Sequence, residues 1–251
     1  MKRIIAYSLW GENPKYTLGA IVNVQVARKI YPGWITRFYC GTSVPENIVE
    51  QLRDNGAEIV HKDEASCPYG TFWRFEAMTD KSIERVIFRD TDSRLNEREH
   101  AAVEEWIDSG LMGHIMRDHP NHAMLMLAGM WGCRPIIGFD FVQEIEAFKP
   151  IDSFFEDQRF LGEIIYPLLC RYGVLIHDSF FHHEAFSKSF PCPRAQNYAF
   201  VGEIFDAYGE RSWEWQLIQE FDRSLLSRIK FRIQRYKRRV KNFLGKNSEF
   251  I

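Results

Sequence analysis

Apolar and polar positions follow two alternating rhythms through the first two-thirds of this chain. Short apolar runs rich in β-formers sit at Arg3–Trp10, Thr36–Cys40, Ala57–His61, Val86–Phe88, His114–Arg117 and Val174–His177. Unbroken runs of this kind suit strands buried on both faces. Between them lie helix-like stretches: Gly19–Ile30, Pro45–Asn55, Phe72–Lys81, Glu97–Ser109 and Asp157–Tyr172. Pro45 opens one helix and Gly56 follows its end, while Gly110 stops the helix that begins at Glu97, the expected placing of these breakers. Strands alternating with helices predict an α/β chain with a mostly parallel central sheet and helices on both faces. Ser187–Gly209 contains Pro191 and Pro193 and reads as loop. Beyond it, Leu226, Ile229, Ile233, Tyr236, Val240 and Phe243 recur at three- and four-residue steps, one apolar stripe on a helix.

One strand ends in unusual chemistry. Arg85–Arg94 reads R-V-I-F-R-D-T-D-S-R. Period two would put Asp90 and Asp92 on the same side of an extended chain, aimed just past the strand's carboxyl end, where open α/β sheets bind ligands. Two converging carboxylates repel and favour a cation between them. Hard oxygen donors suit Mg²⁺ or Mn²⁺, ions commonly shared with substrate phosphates. Taken alone, the triplet reads equally well as a polar turn. There is no G-x-G-x-x-G after the first strand and no G-x-x-x-x-G-K-[ST], so neither glycine-rich phosphate cradle is present.

Composition narrows the class. Across 251 residues, 45% hydrophobic and 15% aromatic content supports a full core and excludes a disordered chain. Cys40, Cys67, Cys133, Cys170 and Cys192 show no C-x-x-C spacing, against a disulfide framework or zinc site and for a reducing compartment. The apolar stretch after Lys2 and Arg3 breaks at Gly11-Glu12-Asn13-Pro14, too early for a signal peptide, and no run has transmembrane length. A cytoplasmic location is expected, with a peripheral position on the inner face of the membrane left open by the tail. The net charge of -2 hides an asymmetry: residues 223–246 hold ten Lys/Arg and no Asp/Glu. The first 222 residues hold 22 basic and 33 acidic residues, so body and tail are expected to meet different partners.

Further segments follow in order: Arg117-Asp118-His119-Pro120, Leu127-Ala128-Gly129-Met130-Trp131-Gly132, Asp157-Gln158-Arg159-Phe160-Leu161 and His177-Asp178-Ser179-Phe180. With the Asp-x-Asp triplet, this set resembles the nucleotide-sugar glycosyltransferases of the GT-A fold. The A-G-M-W-G and D-Q-x-x-L segments are similar to the acceptor-side strand and following helix start of the galactosyl- and glucosyltransferase relatives of glycogenin. Tyr31-Pro32-Gly33-Trp34, Arg37-Phe38-Tyr39 and Phe72-Trp73-Arg74-Phe75 resemble nucleotide-half segments of bacterial and viral members. The resemblance implies a GT-A catalytic domain over residues 1–205, with a nucleotide-binding half at 1–95 and an acceptor half at 96–205. Residues 206–251 are then a helical, basic tail.

What the resemblance implies about the site can be stated by residue. Ser8, Arg74, Asp90, Thr91 and Asp92 would bind the donor nucleotide. Asp92 would be the main ligand of Mn²⁺ or Mg²⁺, with Asp90 on metal or ribose and His177 as a further ligand. Asp157 would be the catalytic carboxylate, a base for the acceptor hydroxyl or a stabiliser of a cationic sugar. Asp118, His119, Gly129, Trp131 and Gln158 would bind substrate, Trp131 by stacking on a sugar face. The expected donor is a UDP-sugar and the acceptor a glycan or lipid-linked hydroxyl, as in surface polysaccharide or glycan synthesis. Plainer readings stand beside these: Asp157 as a helix cap, Trp131 in the core, His177 a satisfied strand-end histidine. A metal-dependent phosphatase or phosphoesterase is an alternative, although those with D-x-D-x-[TV] carry it after the first strand and position 94 here is Arg. An inactive membrane-binding scaffold is another. The tail would lie on an anionic membrane or pack back on the body; an acidic body opposes nucleic acid.

Overall fold

The computed structural model describes residues 1–65, 70–151 and 155–224, together with 226, 229 and 233. Its strands are β1 (Lys2–Leu9), β2 (Ile35–Cys40), β3 (Glu58–His61), β4 (Ile83–Phe88), β5 (Gly113–Arg117), β6 (Trp131–Cys133) and β7 (Val174–Asp178). They form one sheet in the order β3-β2-β1-β4-β6-β5-β7. Every neighbouring pair is parallel except the two made by β6, which runs antiparallel to β4 and β5. The α/β architecture expected from the sequence is the one observed.

Helices α1 (Pro14–Ile30), α2 (Glu46–Asp54), α3 (Glu97–Ser109), α4 (Phe141–Phe148), α5 (Glu156–Phe160), α6 (Tyr166–Tyr172) and α7 (Trp215–Arg223) complete the described chain. Along β1, Ile4 and Ala6 join one core with Phe75, Phe88 and Trp131, whereas Ile5, Tyr7 and Leu9 join another with Ala20, Val24 and Trp106. Both sheet faces are covered, which is why the strands read as unbroken apolar runs.

Local differences have physical causes. The helix expected over Phe72–Lys81 is a 3₁₀ segment, Gly70–Thr79, in which Phe72, Trp73, Arg74 and Phe75 are all buried; it has no polar face to give a helical stripe. The helix expected over Asp157–Tyr172 is α5, a wide π turn at Leu161–Ile165, then α6. Pro167, with no N–H to donate, stands at the start of α6. Helix α4 was not expected, although Phe141, Ile145 and Phe148 recur at helical spacing; Asp140 caps it by accepting from Val142 N and Gln143 N at 3.0 and 3.2 Å. Of the tail expected over 206–251, residues 206–224 are described and include α7; beyond them only Leu226, Ile229 and Ile233 are described, all exposed, and the rest of the basic stretch lies outside the described residues. Among the described residues no helix is long and apolar enough to cross a membrane.

One topological fact positions the site. From β1 the chain steps outward through β2 to β3, then returns to β4 on the opposite side of β1. The winding therefore reverses between β1 and β4, leaving a crevice at their carboxyl ends.

Candidate active site

Strand β4 stops at Phe88, and Asp90 begins a turn whose carbonyl accepts from Ser93 N (3.3 Å) and Ser93 Oγ (2.9 Å). The two aspartates do not share a strand face, as period two predicts; the turn gives each its own cation. Asp90 accepts from Arg74 Nη1 at 2.5 Å, and Asp92 pairs with Lys15 Nζ at 2.7 Å. They remain electrostatically coupled. Burial raises the Asp92 pKa, the charge of Asp90 raises it further, and Lys15 opposes both.

The surrounding backbone is cut to fit Asp90. In the β4–β6 register Trp131 stands opposite Phe88, so the chain before β6 brings Gly129 against Asp90. A Cβ on Gly129 would lie 2.0 Å from Asp90 Oδ2; any side chain there would displace the carboxylate. Ser8, at the end of β1, accepts from Arg74 N at 3.0 Å and fastens the 3₁₀ segment over the crevice. Thr91 is buried, and its carbonyl accepts from Asn23 Nδ2 at 3.1 Å, so it shapes the turn.

Arg74 joins this turn to a third carboxylate. Its guanidinium reaches Arg89 O at 2.8 Å, Asp90 Oδ1 and, at 3.3 Å, Asp157 Oδ2. Asp157 lies buried in the first turn of α5, where its Oδ1 accepts from Gln158 N at 2.8 Å. Burial raises the Asp157 pKa; Arg74 pulls it down and Asp90 pushes it up. Arg74 Nε and Gln158 Oε1 are buried without a hydrogen-bond partner. Buried polar atoms are rarely left so, and these two flank the residue expected to do chemistry.

The donor set can be weighed against a divalent ion. Asp90 is half exposed and Asp92 nearly buried, at 49% and 13% side-chain exposure. Among the described residues no cluster of three or more His, Cys, Asp or Glu forms a metal centre. Two carboxylates and no more fit an ion that draws its other ligands from water and phosphate oxygens, as Mg²⁺ and Mn²⁺ do.

Four expected site residues are placed elsewhere. His177 is on β7, separated from β4 by β6 and β5, roughly 14 Å at about 4.8 Å per strand. Its Nδ1 lies 2.8 Å from His114 Nε2 and its Nε2 2.8 Å from Glu105 Oε2, leaving no nitrogen for a metal. Asp118 is wholly buried and accepts from Arg98, Arg194, Ser179 and Val201 N, so it has no capacity left for a substrate hydroxyl. His119 is also wholly buried, with Nδ1 accepting from Asn121 N and Nε2 against Glu214 O. Trp131 is stacked on Phe88 at 4.3 Å with no exposure, so it is core and unavailable to a sugar.

Sequence reasoning missed Lys15, Gly19, Asn23 and Arg94. Lys15, Gly19 and Asn23 are four residues apart and share one face of α1. All three meet the 90–94 turn: a Cβ on Gly19 would sit 2.3 Å from Thr91 O, and Asn23 Nδ2 donates to Thr91 O and Ser93 O. Lys15 and Asn23, on the face of α1 that also carries Gly19, were the available signal.

No family model matches the chain, and no curated protein matches it in sequence. Among solved structures it is similar to a glycosyltransferase involved in glycosylation of the major capsid of PBCV-1, at TM-score 0.42 and 14% identity, covering 74% of this chain and 84% of that one. It is also similar to glucosyl-3-phosphoglycerate synthase from Mycobacterium tuberculosis in complex with Mn²⁺, UDP and phosphoglyceric acid, at TM-score 0.46 and 10% identity over 70% and 68%. A third similar structure is 4-diphosphocytidyl-2C-methyl-D-erythritol synthase from Anaerococcus prevotii, at TM-score 0.46 and 9% identity over 76% and 93%.

Proposed function

We propose that the chain is a metal-dependent glycosyltransferase that moves a sugar from a nucleoside-diphosphate sugar, a UDP-sugar, to a hydroxyl acceptor. One observation carries the reading. A coupled aspartate pair sits at the β1/β4 reversal and is tied through Arg74 to a buried third carboxylate of raised pKa. Such crevices bind nucleotides, and the third carboxylate suits proton or charge chemistry beside them.

Asp92 and Asp90 would hold Mn²⁺ or Mg²⁺. When bound, the ion supplies positive charge to the diphosphate leaving group, worth about 4 kcal/mol per unit-charge pair at 4 Å and an effective dielectric near 20. The chain's own residues do the rest. Arg74 holds Asp157 in place and, with Asp90, sets its proton affinity. Gln158 Oε1 and Arg74 Nε offer an acceptor and a donor to a polar substrate. Asp157 then takes the acceptor hydroxyl's proton as that oxygen bonds to the sugar, or stabilises the sugar's positive charge as its bond to phosphate breaks. Residues 1–95 form the donor half in this reading, and 96–205 the acceptor half.

The basic tail would dock the enzyme on an anionic membrane, next to a lipid-linked or surface-glycan acceptor. Its charge and the exposed Leu226, Ile229 and Ile233 support this. Deleting 223–251 should abolish binding to anionic liposomes and leave the melting temperature unchanged; retained binding removes the tail's role. The activity itself is tested by nucleoside diphosphate release from a panel of nucleotide-sugars with Mn²⁺ and with EDTA. Release with one donor that EDTA abolishes is expected; no release with any donor sinks the proposal.

A further inference from the structure

The cation beside Asp92 is not a bystander. Lys15 is the second residue of α1, and that helix is fixed against the aspartate turn by Gly19 and Asn23, four and eight residues on. Asn13 secures the helix start by accepting from Lys15 N at 3.0 Å. The helix register, rather than a chance rotamer, therefore aims Lys15 at Asp92, which it meets at 2.7 Å. Charge around the crevice is balanced before any ligand enters. Asp90, Asp92 and Asp157 face Lys15, Arg74 and Arg94, the last holding the turn through Thr91 O and Ser93 O.

A balanced site attracts a free divalent ion weakly. It would accept readily a unit that is itself nearly neutral, such as a divalent ion already paired with a diphosphate. We propose that Lys15 is a resident counter-ion. It holds Asp92 while the site is empty, is displaced when the metal–diphosphate unit arrives, and then pairs its ammonium with the diphosphate. Lys15 is thus a donor-binding residue that makes metal uptake depend on nucleotide. The inference rests on the donor-site reading above and adds an order of events that the reading does not require.

The test is calorimetric titration of Mn²⁺ alone, and of UDP at saturating Mn²⁺, into the intact protein and its Lys15→Gln, Lys15→Met and Lys15→Arg variants. Lys15 is a partly exposed side chain at 31%, and melting curves confirm that each variant is folded. Removing a charge-assisted partner should tighten nucleotide-free Mn²⁺ binding about tenfold in the Gln and Met variants. The same variants should bind UDP with Mn²⁺ about tenfold more weakly, because the diphosphate has lost its ammonium. Lys15→Arg should keep both wild-type affinities. Unchanged or weaker Mn²⁺ binding in the neutral variants, or unchanged UDP binding, overturns the counter-ion role alone. If the wild-type protein takes up no UDP with Mn²⁺, the donor-site reading falls and this inference with it.

Discussion

Two arginine–aspartate pairs stand at the ends of two strands of one sheet, β4 and β5, with β6 between them, and they have opposite fates. Arg117-Asp118 closes β5, and Arg89-Asp90 follows β4. Asp118 has no exposure and is ringed by two guanidiniums, a hydroxyl and a backbone amide. Its neighbours are saturated too: Arg117 binds Asp178, Leu125 O and Glu184, and Asp178 accepts from three successive amides at 180–182. Asp90 instead is half exposed, holds one guanidinium, and has buried orphan atoms close by. A carboxylate whose lone pairs are all filled fixes the fold, because a ligand would have to break bonds already made. One with spare capacity in a crevice can bind. Saturation, not residue type, separates the two.

This contrast can be broken by substitution. Asp92→Asn should cost the most, lowering Mn²⁺-dependent turnover about 10³-fold, the rate equivalent of roughly 4 kcal/mol. Stability, measured by urea denaturation, should stay within about 1 kcal/mol of wild type. Asp118→Asn should do the reverse. It strands Arg98 and Arg194 beside an uncharged amide, so stability should fall by about 3–5 kcal/mol, while the protein that remains folded binds UDP normally. If Asp118→Asn spared stability and removed binding, the assignment of the two pairs would be exchanged. Gly129→Ala sharpens the comparison from the backbone side. Its methyl competes with the Asp90 carboxylate, so UDP affinity by calorimetry should drop about tenfold, at an overpacking cost of about 1–3 kcal/mol.

The smallest expected effect is a shift in pH dependence. Burial raises the Asp157 carboxyl, so in its role as base the acid limb of kcat/KM should lie above the ordinary aspartate range. Arg74 favours the ionised form; Arg74→Met should therefore move that limb to still higher pH. A limb that stays in place, or moves down, would detach Arg74 from Asp157.

The fold was largely legible because the central strands bury both faces, so their β-forming runs stayed almost unbroken; the edge strand β3 is only half-buried. β6 was not legible, since Trp131-Gly132-Cys133 is too short for any period to show. In the candidate site, Asp90 and Asp92 could be picked out as carboxylates past a strand end, whereas Arg74 and Asp157 were named through the family resemblance. Asp118, His119 and His177 looked the same in sequence, because hydrogen-bond saturation is a property of folded neighbours: Arg194 and Glu214 come from distant segments. Lys15 was hidden for the opposite reason. The sequence pattern starts this helix at Gly19, whereas the folded helix begins at Pro14, and only the fold shows the turn that Lys15 faces.

The Asp90–Asp92 turn at the β1/β4 crevice is proposed to hold a metal–diphosphate. Calorimetric titration of UDP into wild type, Asp92→Asn and Asp118→Asn, each with Mn²⁺ and with EDTA, tests it most directly. Saturable binding that needs Mn²⁺ is expected in wild type, none in Asp92→Asn, and wild-type affinity in folded Asp118→Asn. Equal UDP binding by wild type and Asp92→Asn, or binding indifferent to EDTA, would contradict it.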